Sequence, residues 1–293
     1  MKIFLKSASF WVLFTLFIAI LLDVTYSVIY LKTPANRSIV QIALFTKNQH
    51  FDYIVLGSSR SNHTVNTPLI DKTLRLNGFN FSYPGVKSDE ILSLLKILIK
   101  NKNSINKVFI QIDNLHNTFD QSLPDSFALQ AFLPFIYHQD IWKHYYQYSK
   151  LRPYLFIPFY RYAMNRPSIG EREVLMTLMK RKGEHKKGYI PLKAPKIYRS
   201  NMQAKYPKPL MRHNKNFAKL IELCKKYHID YHFFTAPLYR FDNSVNQPFH
   251  EIFKEKYTDF STTIQGDTCF RDADHLNFRG ADQFTRLLIK DLF

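Results

Sequence analysis

The chain has 293 residues, 46% hydrophobic and 16% aromatic, so it is long enough to bury one sizeable α/β core, and no second domain is required. Its formal net charge of +18 would suit a nucleic-acid-binding protein, but the chain begins with an apolar segment suited to a membrane. We therefore expect the cations to face anionic lipid headgroups and envelope polymers, and we expect no nucleic-acid partner.

An almost uncharged segment runs from Phe10 to about Tyr30, with Asp23 as its only formal charge. It is long enough to cross a bilayer as a helix, so residues 1–31 are predicted to be a transmembrane anchor. A cleaved signal peptide is the alternative, but the segment is longer than a typical signal core and no clear small-x-small site follows it. We expect a single-pass membrane protein with its N-terminus in the cytoplasm and its main domain on the periplasmic or extracellular side.

After a connector at 32–49, short apolar runs alternate with amphipathic helical patterns. Strands are predicted at 52–56, 79–82, 106–112 and 229–235, and helices at 67–77, 88–101, 214–227, 250–257 and 278–292. Thr67 is expected to cap the first of these helices. The alternation predicts βαβ units in a mostly parallel sheet covered by helices on both faces, a three-layer α/β/α sandwich formed by a single domain at 50–293.

The regular alternation is interrupted between about 115 and 209. This segment is crowded with aromatic residues and prolines, and it contains a basic run from Lys180 to Lys187. One interpretation is a helical insertion whose rings pack on the main core. The other is a lid or membrane-facing surface that approaches headgroups or a polymer, and the two are compatible.

The stretch 57–60, Gly-Ser-Ser-Arg, follows the first predicted strand directly. The glycine permits a sharp turn, which puts a serine hydroxyl at the carboxyl end of a strand, where open α/β sheets bind their ligands. One of the two serines, Ser58 or Ser59, is a candidate nucleophile, and His275 near the other end of the chain is a candidate base. An acid must orient that histidine, and Asp272 is favoured with Asp274 in reserve.

These motifs resemble those of the SGNH (GDSL-like) hydrolase superfamily. The run at 57–59 stands where that family has Gly-Asp-Ser, and the run from Asp272 to His275 matches its Asp-x-x-His. The run at 80–85 looks like the second block of the family. The resemblance implies a Ser-His-Asp triad in which Ser59 is the nucleophile, His275 the general base and Asp272 the residue that orients it.

The third block of the family, Gly-x-Asn-Asp after a strand, is altered in this chain, where Gln111 and Asp113 stand at the Gly and Asn positions. The resemblance implies an oxyanion hole built from the backbone N–H groups of Ser59 and Gly85, with Asn114 as a side-chain donor in a shifted register. Without the family's asparagine we expect a slow hydrolase. Such an enzyme suits acyl transfer to a carbohydrate hydroxyl.

Together with the anchor, the altered motifs resemble the envelope branch of the superfamily that includes the lipoteichoic-acid D-alanylation and alginate O-acetylation proteins. The resemblance implies a membrane-anchored serine acyltransferase or esterase that acts on O-acyl groups, foremost acetyl, of a cell-envelope polysaccharide, without a metal or another cofactor. The alternative is a catalytically silent SGNH-like scaffold. The expected partners are the polysaccharide or an acyl donor, and a membrane-bound O-acyltransferase.

The remaining candidate residues each have two interpretations. Arg60 either binds an anionic substrate group or pairs with an acid at the sheet edge. His63 and His116 follow predicted strands and could line the cleft, but they are interpreted as polar loop residues. Cys224 is expected to be a buried structural thiol, with a disulfide to Cys269 as the less favoured alternative, and the cysteine spacing indicates no metal site.

Overall fold

The computed structural model describes residues 1–33, 38–112, 127–183, 185–194, 214–242 and 246–293. The chain divides into two compact units. One comprises Met1–Phe45 with Gln121–Gly183, and the other comprises Thr46–Asp120 with Glu184–Phe293. The predicted ends of the insertion, at about 115 and 209, fall outside the described residues, so the predicted domain bounds stay a prediction.

The described residues form fourteen α-helices and five strands. The helices are α1 (Lys2–Lys32), α2 (Ile39–Phe45), α3 (Ser59–Thr64), α4 (Thr67–Leu74), α5 (Ser88–Lys100), α6 (Phe127–Phe132), α7 (Gln139–Gln147), α8 (Pro153–Phe156), α9 (Tyr160–Met164), α10 (Arg166–Ile169), α11 (Glu171–Leu178), α12 (Lys215–Lys226), α13 (Gln247–Phe253) and α14 (Phe278–Leu292). The strands are β1 (His50–Leu56), β2 (Gly78–Asn80), β3 (Ser104–Gln111), β4 (Asp230–Thr235) and β5 (Tyr257–Asp259).

The strands form one five-stranded sheet in the order β2-β1-β3-β4-β5, and every described pair is parallel. The chain leaves β1 for β2 at one edge and then crosses to β3 on the other side of β1. This reversal creates a topological switch point between β1 and β3, where open α/β sheets bind ligands beyond the carboxyl ends of their strands. The predicted α/β class with a parallel sheet is confirmed.

Helices of the sheet-containing unit contact the strands through aromatic rings. The Phe233 ring in β4 lies 5.7 Å from the Phe217 ring in α12. The next residue, Phe234, has its ring 6.2 Å from the Phe284 ring in α14. Because successive strand residues point to opposite faces of a sheet, α12 and α14 contact opposite faces of β4.

Two local predictions differ from the structure. The cap of α4 is Asn66 and not Thr67, because the Asn66 side chain accepts a hydrogen bond from the Leu69 N–H at 3.2 Å. The predicted helix at 250–257 ends at Phe253, and Tyr257 begins the short edge strand β5. A three-residue strand is too short to produce a readable alternation of apolar residues.

The C-terminal helix α14 is fastened to the end of α3 by polar contacts. The Thr285 hydroxyl in α14 accepts a hydrogen bond from the Asn66 N–H at 3.0 Å and donates one to the Thr64 carbonyl at 3.2 Å. The N-terminus of α14 is capped by Asn277, whose side chain accepts hydrogen bonds from the Arg279 and Gly280 N–H groups. The two helices are thereby held to each other independently of the sheet.

The two cysteines are buried and free. Cys224 lies on the buried face of α12, which confirms the predicted buried thiol. Burial, with a contribution from the charge of Asp230, raises the pKa of the Cys224 thiol to about 12. Cys269 donates to the Gln283 side-chain carbonyl at 3.3 Å, so the disulfide alternative is wrong.

In the other unit, α1 is long and apolar enough over Ile3–Lys32 to span a membrane, as predicted, by its length and composition. The large apolar side chains of its first two thirds are exposed. They include Phe4, Phe10, Trp11, Val12, Leu13, Phe14, Phe17, Ile20 and Leu21. The last third instead buries the polar residues Asp23 and Ser27 within the unit. The side of the membrane on which the chain lies stays a prediction.

A buried ion pair joins α1 to α9. The Arg161 guanidinium donates to Asp23 Oδ2 at 2.8 Å and to the Ser27 hydroxyl at 2.7 Å. Arg161 is 2% exposed and Asp23 is 5% exposed. Asp23 also accepts hydrogen bonds from the Phe159 N–H at 2.9 Å and from the Tyr137 hydroxyl at 3.3 Å. The charge within the predicted anchor therefore has its counter-ion in the same compact unit.

Aromatic rings pack around this ion pair. The Tyr26 ring lies 5.2 Å from Phe159 and 5.1 Å from Tyr162, and the Tyr30 ring stacks on Tyr162 at 6.3 Å. The described part of the predicted insertion comprises 127–183, which consists of α6 to α11 and their connections, and 185–194, which contains no helix. The helical character predicted for the insertion is thus present in 127–183. The packing partner observed for these rings is α1.

Replacing Arg161 with Met should destabilise the protein, because the Asp23 carboxylate would then be buried without a counter-ion. Breaking a buried pair in this way lowers the free energy of unfolding by about 3–5 kcal/mol. Unfolding of the full chain in detergent micelles should therefore show a lower midpoint. The double variant Asp23→Leu with Arg161→Met should recover most of that loss. Arg166→Met is the control, because its ion pair with Glu171 is exposed and the midpoint should hardly change. An unchanged midpoint for Arg161→Met would contradict the role of the pair.

Candidate active site

A tight turn of two residues, Gly57 and Ser58, connects β1 to α3. A Cβ atom on Gly57 would lie 2.5 Å from the Ser61 hydroxyl and 2.7 Å from the Gln111 Cβ. A real Cβ does not approach other heavy atoms so closely, so the turn can pass between α3 and the end of β3 only with glycine at this position. The close approach of Ser61 and Gln111 is thus the reason that the motif has a glycine at position 57.

Ser58 fixes the start of α3. Its hydroxyl accepts a hydrogen bond from the Arg60 N–H at 3.3 Å and donates one to Gln111 Oε1 at 2.8 Å. The Ser58 N–H donates to the same Gln111 oxygen at 3.0 Å. Ser59 is therefore the first residue of α3, and its N–H belongs to the helix turn whose donors have no partner within a helix.

A chain of two hydrogen bonds joins the predicted serine, histidine and acid. Ser59 Oγ lies 2.8 Å from His275 Nε2, and His275 Nδ1 lies 2.8 Å from Asp272 Oδ1. Because an ionised carboxylate only accepts hydrogen bonds, the proton on the imidazole is on Nδ1. Nε2 is then the acceptor for the Ser59 hydroxyl. This is the arrangement that lets a histidine take a proton from a serine.

The loop that carries His275 is held by backbone contacts on both sides of it. Phe270 and Leu276 form an isolated antiparallel bridge, and the Arg271 N–H donates to the His275 carbonyl at 2.8 Å. Two residues further along, Asn277 caps α14. The imidazole therefore projects from a short loop that is held by backbone hydrogen bonds and leads into α14.

Asp272 is held as a carboxylate by several donors. Besides the imidazole, its Oδ1 accepts the backbone N–H groups of Asp274 and His275, each at 3.0 Å. Burial opposes ionisation, but the hydrogen bond and attraction from His275 and these two N–H groups lower the pKa of Asp272 below its ordinary value. Asp274, the reserve candidate, is exposed and contributes its N–H to Asp272.

His63 also lies beside the base, although the sequence favoured a polar loop residue over a residue that lines the cleft. It is part of α3 and not of a loop, four residues after Ser59, so the two side chains share one helix face. Its ring is 5.7 Å from the His275 ring, and its Nδ1–H donates to the Ile190 carbonyl at 2.8 Å. Burial lowers the pKa of His63 and the nearby His275 adds to this, although Ile190 and Asp272 oppose it. His63 is therefore neutral at neutral pH.

The spacing of serine and histidine was the available signal for His63. A strand followed by Ser59 and, four residues later, His63 places both on one face if the intervening residues are helical. The residue that fixes the His63 tautomer, Ile190, is 127 positions away in the chain. Sequence spacing could thus have suggested its proximity to Ser59 but not its protonation state.

The second sequence block forms a turn that is tied to the serine turn. Gly85 has φ 72° in the turn from Tyr83 to Val86, which is closed by a hydrogen bond from the Val86 N–H to the Tyr83 carbonyl at 3.2 Å. The Tyr83 N–H donates to the Gly57 carbonyl at 2.9 Å. Asn114, the predicted side-chain donor of an oxyanion hole, lies outside the described residues, so its role stays a prediction.

Buried side chains lock this second block against α3. The Ser61 hydroxyl donates to the Ser82 hydroxyl at 2.7 Å, and the Asn62 side-chain amide donates to the Ser82 carbonyl at 3.1 Å. The Asn80 amide donates to the Ser61 carbonyl at 2.9 Å. All four residues are fully buried. These direct hydrogen bonds therefore hold residues 80–82, which precede the turn at Gly85, against α3.

Arg60, the predicted substrate contact, lies inside the protein with 2% of its surface exposed. Its guanidinium donates to the carbonyl oxygens of Ala236 and Pro237 at the loop that follows β4. These bonds support that loop at the carboxyl edge of the sheet. The two other residues singled out near the third block, Asp113 and His116, lie outside the described residues.

Replacing Gln111 with Met should remove the acceptor shared by the Ser58 N–H and hydroxyl. Leaving a buried donor without a partner costs roughly 1–3 kcal/mol, so the free energy of unfolding should fall by about that amount. Gln265→Met is the matched control on an exposed residue and should change it by less than about 0.5 kcal/mol. Denaturant unfolding of the full chain in detergent measures both. An equal effect of the two substitutions would show that the Ser58 contact is dispensable.

Within the described ranges, no group of three or more His, Cys, Asp and Glu side chains could hold a metal ion. No protein-family model matches the chain, and a search of curated proteins finds no match. Any function assigned to the chain therefore rests on its own residues and their geometry.

Proposed function

We propose that the chain is an SGNH-like serine acyltransferase or esterase that acts on O-acyl groups, foremost acetyl, of a cell-envelope polysaccharide. The observation that carries the proposal is the hydrogen-bond chain from Ser59 Oγ through His275 to Asp272, with both distances at 2.8 Å. Its position at the switch point of a parallel sheet supports it further, because that is where such sheets bind ligands.

The proposed architecture is the three-layer sandwich of the SGNH superfamily. The strand order and the contacts of Phe233 and Phe234 with different helices support it. Gly57, the turn at Gly85 and the loop before His275 would then correspond to the first, second and last sequence blocks of that superfamily. The hydrogen bond from Tyr83 to Gly57 brings the first two of these together.

In the proposed reaction, Ser59 Oγ attacks the ester carbonyl carbon while its proton moves to His275 Nε2. The imidazolium is stabilised by the Asp272 carboxylate on Nδ1. Collapse of the tetrahedral intermediate breaks the ester C–O bond, and His275 returns the proton to the departing alcohol oxygen. The acyl group, now esterified to Ser59, passes to water in hydrolysis or to a glycan hydroxyl in transfer, and His275 accepts the proton of the attacking group. Collapse of this second intermediate breaks the bond between the acyl carbon and Ser59 Oγ, and His275 returns the proton to Ser59.

The proposed oxyanion hole consists of the N–H groups of Ser59 and Gly85, with Asn114 as a third donor. Loss of one such donor costs roughly 3–4 kcal/mol of barrier, so the strength of this hole decides the rate. Asp113 stands at the family's asparagine position, and an ionised carboxylate cannot donate a hydrogen bond to an oxyanion. This replacement favours an enzyme with a weak oxyanion hole, suited to transfer.

The same altered block favours the second candidate, a catalytically silent scaffold that binds polysaccharide or a membrane-bound O-acyltransferase. In either case we propose that α1 anchors the chain and that the sheet-containing unit lies on the periplasmic or extracellular side. The positive net charge of +18 supports contact with anionic envelope polymers and headgroups. The two candidates differ in whether an acyl-enzyme forms.

Ser59→Ala and His275→Ala should each lower turnover of an activated acetyl ester by at least about 10³-fold, and the double variant should lose little more, because the two side chains act as one unit. Asp272→Asn should cost less than either. Asp274→Asn is the matched control and should cost least, because that carboxylate is exposed and only its backbone N–H contacts Asp272. Steady-state kinetics and mass detection of acyl-Ser59 provide the readout. A wild type with neither ester cleavage nor acyl-enzyme, but with polymer binding, would establish the scaffold instead.

His63→Lys should impair catalysis, because a cation beside His275 destabilises the imidazolium that forms when Ser59 loses its proton. The acid limb of the pH–rate profile should move to lower pH, and the plateau should fall by about tenfold or more, which corresponds to about 1.4 kcal/mol. His63→Gln keeps a donor for the Ile190 carbonyl and should retain most activity. Identical pH profiles for the two variants would exclude an electrostatic influence of position 63 on the base.

A further inference from the structure

We propose that an exposed aromatic patch, Trp142, Tyr146, Phe156 and Ile157 together with Arg152, docks on the bilayer surface from which α1 emerges. The patch belongs to the same compact unit as α1. Its proposed occupant is the headgroup and upper acyl region of a lipid leaflet. The inference does not depend on the catalytic proposal.

The first step concerns where α1 leaves the membrane. From Ile3 to Leu22 its large apolar side chains are exposed, and the polar residues Asp23 and Ser27 that follow are buried by other parts of the unit. These twenty helical residues span about 30 Å, the thickness of a bilayer's hydrocarbon core. Beyond them Val24, Val28 and Leu31 stay exposed on one face of α1 while Asp23 and Ser27 are buried on another, so the stretch that is exposed on all sides ends near Asp23.

The second step concerns the position of the patch relative to Asp23, where α1 leaves the membrane. Asp23 accepts a hydrogen bond from the Phe159 N–H at 2.9 Å, and Tyr137, 60% exposed, donates to the same carboxylate at 3.3 Å. Phe156 and Ile157 lie within three residues of Phe159 and are 61% and 51% exposed. Apolar side chains are thus held close to the level at which α1 would enter the headgroup region.

The third step is the continuity of the patch. The Trp142 and Tyr146 rings stack at 4.7 Å, one helical turn apart on α7, and the Tyr146 ring lies 6.4 Å from Phe156. The Arg152 guanidinium lies over the Tyr146 ring at 4.8 Å from its centroid, and its Nε donates to the Tyr146 carbonyl. Each ring keeps a substantial exposed fraction despite these contacts.

The chemistry of the patch fits a lipid interface. Trp and Tyr concentrate at the headgroup level because one end of each ring is apolar and the other polar. A cation beside them attracts anionic headgroups, and Lys143 and Lys150 in the same segment are also exposed.

The chain contains two tryptophans, which makes the depth of the patch measurable. The full chain would be reconstituted in vesicles of phosphatidylcholine and phosphatidylglycerol that carry bromine at a shallow or a deep acyl position. In Trp11→Phe, the remaining Trp142 should be quenched most strongly by the shallow bromine. In the matched variant Trp142→Phe, the remaining Trp11 lies in the middle of the exposed apolar stretch and should be quenched most strongly by the deep bromine.

A second comparison tests whether the apolar side chains of the patch are what hold Trp142 at the membrane surface. Phe156→Ser with Ile157→Ser, made in the Trp11→Phe background, should lower the quenching of Trp142 by about twofold or more, because the apolar contact that holds it at the interface is removed. Circular dichroism verifies the fold of each variant. The proposal is overturned if Trp142 is quenched by neither bromine position, as when the patch faces water or a protein, or if the double substitution leaves its quenching unchanged.

Discussion

The geometry of the candidate site depends on the hydrogen bonds between Gln111 and Ser58. Gln111 is the last residue of β3, and its side-chain oxygen accepts hydrogen bonds from the N–H and the hydroxyl of Ser58. Ser58 is separated from the end of β1 by one residue, Gly57. At a switch point the chain segments that follow two neighbouring strands lead in opposite directions, so backbone hydrogen bonds between the two strands stop at the strand ends. Beyond the ends of β1 and β3, the Gln111 side chain links the two segments instead, and it thereby sets where α3 and Ser59 begin.

A neutral amide is well suited to this position. Gln111 is completely buried, and a carbonyl oxygen with two lone pairs can accept both Ser58 donors without carrying a charge into the interior. The other unit contains a different solution, the buried pair of Asp23 and Arg161, in which the cost of desolvating two charges must be offset by their attraction and by additional hydrogen bonds. Ser27, Phe159 and Tyr137 supply such hydrogen bonds to this pair, whereas Arg161 Nε has no hydrogen-bond partner among the described residues.

Local patterns were sufficient to predict much of the fold but only part of the site. β1, α5 and α14 could be found from apolar periodicity and flanking polar residues, because these signals lie within each segment. The Asn66 cap was missed because Asn66 and Thr67 are adjacent residues that both favour capping. The membership of His63 in α3 was missed because a six-residue polar helix has no apolar period.

Other features were beyond prediction because the partner lies far away in the chain. Ile190 fixes the His63 tautomer from 127 positions away, and Arg161 neutralises Asp23 from 138 positions away. Nothing in the immediate neighbourhood of either residue encodes such a partner. The order of Ser59, Asp272 and His275 along the chain could be recognised, but their separation in space is a property of the folded sheet and helices.

The attachment of α14 to the end of α3 has an evolutionary consequence. The serine begins α3, the histidine loop leads into α14, and Thr285 binds the backbone of Thr64 and Asn66. The direct contacts between the two segments that carry the reactive groups are thus contributed by the two ends of the sheet-containing sequence, near residues 57–66 and 268–288. Insertions, deletions and exchanges in the intervening sequence can accumulate without altering that spacing where they spare the residues that hold α3, such as Gln111 and Ser82. A lineage could acquire new accessory segments for new surroundings while inheriting an unchanged pair of reactive groups.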